Sequence, residues 1–115
     1  MTATVHFWRF YFRYTNADPS RFTESSRLNW MACDRAVKRF SDVEVSVLEK
    51  YYMTEYGGYE DLKVIKEFAE KNGIDPAWAW DMIKRANYEA AVERGLIDRK
   101  EVINSAVLQC DSSCV

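Results

Sequence analysis

Few side chains in this 115-residue chain are spaced for covalent chemistry. The single histidine, His6, has no nucleophile at a recognisable distance along the sequence, and the carboxylates are distributed as a solvated helical surface would carry them. Cys33, Cys110 and Cys114 are an odd set with two members in the last six residues, which is neither a disulfide framework nor a four-ligand zinc spacing. Gly57-Gly58 lacks the Lys and Ser/Thr that complete a phosphate-binding loop. The expectation is therefore a chain that is not an enzyme, with no catalytic residue, no metal and no cofactor.

Binding chemistry has better candidates. Lys84 and Arg85 stand one turn beyond the opening residues Asp75, Pro76, Ala77, Trp78, Trp80 and Asp81 of a predicted helix. Cations there could reach phosphate, with Trp80 and Asp81 at the groove of a duplex. No Arg, Asn or Gln occupies the first turn to make bidentate base contacts, and the aspartates repel phosphate. Trp78 and Trp80 diverge by about 200° on a helix, so one of them must face outward. An outward tryptophan is typical of the centre of a protein interface, and the alternative is a cover supplied by another part of the chain. Arg9 and Arg13, interleaved with Trp8, Tyr11 and Tyr14, form a second candidate, in which phosphate contacts combine with base stacking. The alternative there is core packing with the arginine heads at the surface.

The element that must position Lys84 and Arg85 is the stretch 61–88, which reads as helix, turn, helix. Leu62, Ile65, Phe68 and Ala69 recur with the helical period, and Lys63, Lys66, Glu67, Glu70 and Lys71 face water. Gly73 can take the left-handed conformation that ends such a helix, and Asp75-Pro76 supplies an N-cap acceptor and a preset first turn for the next. The second helix is predicted from Pro76 to about Arg94, where Gly95 stops it. Ile74, Met82 and Ile83 should close a small core between the two.

Upstream, Ser41-Asp42-Val43-Glu44 is a capping box that opens a helix bearing Val43, Val47, Leu48, Tyr51 and Tyr52. A helix from about Glu24 to Arg39 is predicted to carry Leu28, Met31, Ala32, Arg35, Ala36 and Phe40 on one side, with Trp30, Cys33 and Val37 nearby and Cys33 on a buried or half-buried face. Asn16–Ser20 is a turn signal. Residues 4–14 alternate as a strand could, with His6, Trp8, Phe10, Phe12 and Tyr14 on one side. No partner strand follows, so the reading is an extended arm laid across the helices or an edge that pairs with a second copy to give a homodimer, with a helical start as the alternative. Downstream, Gly57-Gly58 is read as a flexible corner, and Asp98 can cap a last helix through Gln109.

The fold class expected is all-α, four to five helices containing a helix-turn-helix, with an extended aromatic N-terminal arm. The divisions are 1–22 for the aromatic and basic arm, 23–109 for the helical domain and 110–115 for a flexible tail. A single domain suits the length. No run approaches the roughly 20 apolar residues of a membrane span, and the start lacks the pattern of a signal peptide, so the expected location is the cytoplasm, without a membrane partner. Net charge is −2 but uneven: residues 1–40 carry seven Arg/Lys against three Asp/Glu, and residues 41–58 carry one against four. Any basic surface belongs to the N-terminal third.

In order, Ser41-Asp42-Val43-Glu44, the stripe Val47-Leu48-Glu49-Lys50-Tyr51-Tyr52, the helix Asp61–Asn72 with Ile65, Phe68 and Ala69 inward, the turn Gly73-Ile74-Asp75 and the helix Pro76–Tyr88 form a set. This set resembles the fourth region of bacterial sigma-70-type factors and the small phage regulators with sigma-like helix-turn-helix domains. The resemblance covers under half the chain. It implies a support helix at Asp61–Asn72 and a recognition helix at Pro76–Tyr88, in a small regulator of the kind carried by phages and mobile elements. Such a regulator would act through double-stranded DNA or RNA polymerase. The acidic, tryptophan-bearing second helix keeps another class open: a protein-interaction module or phage-borne inhibitor that uses Trp78 or Trp80 to hold a protein partner.

Overall fold

The computed structural model describes residues 2–54 and 61–99. Within them lie five α-helices and no strand: α1 (Thr2–Arg13), α2 (Glu24–Ala36), α3 (Asp42–Tyr52), α4 (Leu62–Lys71) and α5 (Pro76–Arg94), with short 3-10 turns at Pro19–Arg21 and Val37–Arg39. The all-α class is as expected. The Gly57-Gly58 corner, the last helix beyond residue 99 and the tail 110–115 lie outside the described residues.

The extended arm is corrected to a helix. Thr4, Val5, Trp8, Tyr11 and Phe12 are all buried, a spacing that strand alternation cannot produce and one face of a helix does. A lone strand would leave its backbone donors and acceptors unmatched, whereas a helix satisfies them internally. The burial anchors it: Trp8 is fully enclosed, packs with Phe12 and Tyr52 in a triangle of rings with centroids 5.5 and 6.1 Å away, and donates its indole N–H to the Ala86 carbonyl of α5 at 3.0 Å. With the strand goes the sheet edge that was one way for two copies to pair.

Each later helix begins where a capping side chain stands. The Thr23 hydroxyl accepts from the Ser26 N–H to open α2, and the Asp61 carboxylate accepts from Lys63 and Val64 to open α4. At α3 both halves of the capping box form: the Glu44 N–H donates to the Ser41 hydroxyl (3.2 Å) and the Ser41 N–H donates to the Glu44 carboxylate (2.9 Å). Gly73 ends α4 at φ +67°, with the Ile74 N–H reaching back to the Ala69 carbonyl at 2.8 Å, the six-to-one bond of a left-handed helix stop. Gly95 ends α5 at φ +83° in the same way, through Leu96 N–H to Ala91 at 2.9 Å.

One aromatic-rich core holds these helices together, and α5 is its central member, packed against α1, α2 and α4. Alanines at 79, 86 and 90 let neighbours approach closely. The face that α2 buries is shifted from the expected one: Ala32, Cys33 and Ala36 are inside as expected, Trp30 joins them, and Leu28 and Met31 are exposed. The small side chains at 32, 33 and 36 admit α1 and α5, and Arg35, one turn beyond Met31, stays at the surface because it pairs with Glu93 at 2.9 Å. Likewise Val43 and Leu62, expected on buried stripes, are 68% and 57% exposed, each standing in the first turn of its helix. Among the described residues no helix is long and apolar enough to cross a membrane.

Candidate functional site

The first half of α5 is positioned by the turn 72–75 and by α4 behind it. Asp75, beside the left-handed Gly73, accepts the Trp78 N–H at 2.9 Å and Pro76 fixes the entry, so the register of every following side chain is set at the cap. Ala79, Met82 and Ile83 then face the core together with Ile65, Phe68 and Ala69 of α4, and Ile74 packs against the same cluster. Helical geometry leaves Ala77, Trp78, Asp81, Lys84 and Arg85 outward, and all five are exposed.

The two tryptophans separate as their spacing requires. Trp78 is 38% exposed, a large apolar surface for a solvated helix, whereas Trp80 is half-buried against the core with the Lys84 ammonium 5.1 Å from its ring centroid. Asp81 lies exposed on the same flank as Trp78, one turn on.

Arg85 is already engaged. Its guanidinium donates to the Glu44 carboxylate at 2.8 Å and lies 4.7 Å from the Phe40 ring centroid, tying α5 to the first turn of α3. Glu44 thus serves its own capping box and Arg85 together. The Ser41 N–H first, and Arg85 after it, hold its carboxyl below the usual carboxylate range. Sequence reasoning placed Arg85 beside Lys84 as a phosphate contact and did not see this partner, because the two residues are 41 positions apart and meet only through the crossing of α3 and α5.

Arg9 is half-buried and Arg13 exposed, and neither makes an ion pair among the described residues. They are four residues apart on the flank of α1 beside Val5 and Phe12. They stay apart in sequence and element from Lys84 and Arg85, although α1 meets α5 at Ala86, the residue after Arg85. The other arginines of the basic N-terminal third are partly neutralised within the fold. Arg35 and Arg39 bond Glu93 at 2.9 Å each, and Arg39 approaches Glu89 at 3.3 Å.

His6 is exposed on α1. Cys33 is fully buried, and that burial pushes its thiol up, away from the reactive thiolate. Among the described residues no three His, Cys, Asp or Glu side chains are grouped to hold a metal ion. What the sequence reading missed is a cleft of about 470 Å³ between α1, the 3-10 turn 37–39 and α3. Its residues come from three elements spread over positions 11–49, so no local motif announces it.

Comparison with protein-family models, with curated proteins and with solved structures finds no match to this chain.

Proposed function

We propose that this chain is a small transcription regulator, of the kind that phages and mobile elements carry, that engages a protein of the transcription machinery through the outer face of α5. In this reading α4, the turn and α5 form a sigma-region-four-like helix-turn-helix kept as a frame, and the chain acts by binding and not by catalysis. One observation carries it. The first half of α5 turns Trp78 and Asp81 outward while Arg85 is held by Glu44 and Phe40, so the face has an apolar anchor with an acidic neighbour and few cations for phosphate. The test is capture from a bacterial lysate with and without nuclease. A partner retained after nuclease and lost with Trp78→Ala, at unchanged helical circular dichroism, supports the proposal. Capture that vanishes with nuclease overturns it.

A second reading, duplex DNA, rests on the exposure of Lys84 and on Arg9 and Arg13, which lack ion pairs among the described residues. It requires affinity for DNA that falls steeply with salt, by a log–log slope of about one per phosphate contact. A salt titration with duplex DNA that shows no binding at low salt removes it.

A further inference from the structure

The cleft between α1, the 3-10 turn 37–39 and α3 is walled by aromatic rings and rimmed by charge. Tyr11 and Phe12 of α1 and Phe40 supply the apolar walls. The Tyr11 hydroxyl donates to Asp34 at 2.9 Å, which fixes that ring in place. Phe40 already carries one cation, the Arg85 guanidinium, at its ring. Asp42 and Glu49 stand seven residues apart on the same side of α3, two helical turns that put both carboxylates along one edge of the cleft. Neither is in an ion pair among the described residues. Among the lining residues Lys38, from the 3-10 turn, is the one cation, and Arg85 at the Phe40 ring is already paired with Glu44, so two carboxylates without an ion pair among the described residues face one ammonium.

We infer that this cleft is a binding site for a small organic cation, a primary amine or guanidine carried on an aromatic or branched aliphatic body. The volume of about 470 Å³ lies within the range of small-ligand sites, roughly 300–1,000 Å³. The small exposed parts of Tyr11, Phe12 and Phe40, with Val37 and Val45, form the apolar floor against which the ligand's body rests. The carboxylates of Asp42 and Glu49 take the ammonium or guanidinium, and Lys38 repels an anion of the same shape. This site is separate from the outer face of α5 and does not depend on the partner proposed there.

Three indole probes of similar size test the inference: tryptamine, the neutral 3-(2-hydroxyethyl)indole and indole-3-propionate. Each is titrated into the isotope-labelled full chain while amide resonances are followed by NMR. Tryptamine should give saturable shifts centred on Tyr11, Lys38, Asp42 and Glu49, with affinity about tenfold above that of the propionate and the neutral compound between them. The double substitution Asp42→Asn, Glu49→Gln should weaken tryptamine about fivefold or more while the remaining spectrum stays in place, and Lys38→Ala should strengthen it. Absence of saturable shifts in the cleft overturns the site. Equal affinity for the amine and the acid, or indifference to the double substitution, overturns its charge selectivity.

Discussion

The two halves of α5 face different surroundings. The second half, from Ala86, buries Asn87, Glu89, Ala90 and Ala91 as well, and several of its polar groups reach across to other elements. The Ala86 carbonyl takes the Trp8 indole, Asn87 the Tyr52 hydroxyl at 2.7 Å, Glu93 the Arg35 and Arg39 guanidinium groups, and Arg94 donates to Asn29 at 2.7 Å. The first half buries only Ala79, Met82 and Ile83, half-buries Pro76 and Trp80, and turns Ala77, Trp78, Asp81, Lys84 and Arg85 outward. One continuous helix therefore serves as the centre of the fold at one end and as a presented surface at the other. Changes in the second half should cost stability, and changes on the outer side of the first should cost binding.

Trp8→Ala is the largest break on the stability side. It removes a fully buried ring, its stacks on Phe12 and Tyr52 and the bond to Ala86. The expected loss is about 3–5 kcal/mol by urea denaturation, against under about 0.5 kcal/mol for exposed His6→Ala on the same helix. A loss near that of His6→Ala would mean that α1 is dispensable to the core.

Gly73→Ala comes next and acts on the first half. No atom would meet the added Cβ within 4 Å, so the cost is conformational alone, that of holding an L-residue at φ +67°. About 1–2 kcal/mol is expected, with Gly73→Asn costing less because asparagine tolerates the left-handed region. Equal losses for the two variants would point to a steric cause instead.

The helix boundaries were legible in the sequence because caps are local. Ser41 with Glu44, Asp75 with Pro76, and the glycines at 73 and 95 each act on backbone groups within a few residues, and α5 runs from Pro76 to Arg94 as its signals predict. The N-terminal helix was not legible. In WRFYFRY nearly every position is apolar or amphipathic, so strand and helix periods fit equally, and only the partners Tyr52 and Ala86 decide. Helix α2 hid its buried face for a related reason, with Leu28 and Met31 on one side and Trp30 and Cys33 on the other offering two apolar stripes. At the candidate site the exposure of one tryptophan followed from spacing alone. Which one, and the capture of Arg85 by Glu44, depended on how the helices cross.

The charge cluster that clamps the second half gives a smaller, pH-dependent effect. Bonds from Arg99 lower the Glu89 carboxyl, and bonds from Arg35 and then Arg39 lower that of Glu93. Carboxylates whose folded pKa is depressed add stability above their unfolded value and lose it as pH falls through the folded one. Stability should therefore decline on acidification below about pH 4.5, and Glu89→Gln with Glu93→Gln should flatten that part of the curve. Added salt should reduce the contribution at neutral pH, since the Arg35 and Arg39 side chains are each 48% exposed. An acid limb unchanged by the two substitutions would place the effect elsewhere.

Trp78→Ala should move stability least and binding most. The residue is 38% exposed, and the bond to the Asp75 carboxylate is donated by its backbone N–H, which alanine keeps, so the cap and the helix survive the change. Alanine also has the higher helix propensity, which offsets part of the lost contact. A change within about 1 kcal/mol is expected in urea denaturation, together with loss of the captured partner. Trp80→Ala is the informative contrast, because that ring packs against the core and holds Lys84 beside it. It should lower stability more than Trp78→Ala does, and any loss of binding should track that lowered stability. If Trp78→Ala instead destabilises the chain as much as Trp80→Ala, the outer face of α5 belongs to the fold like the second half, and the division between the two halves disappears.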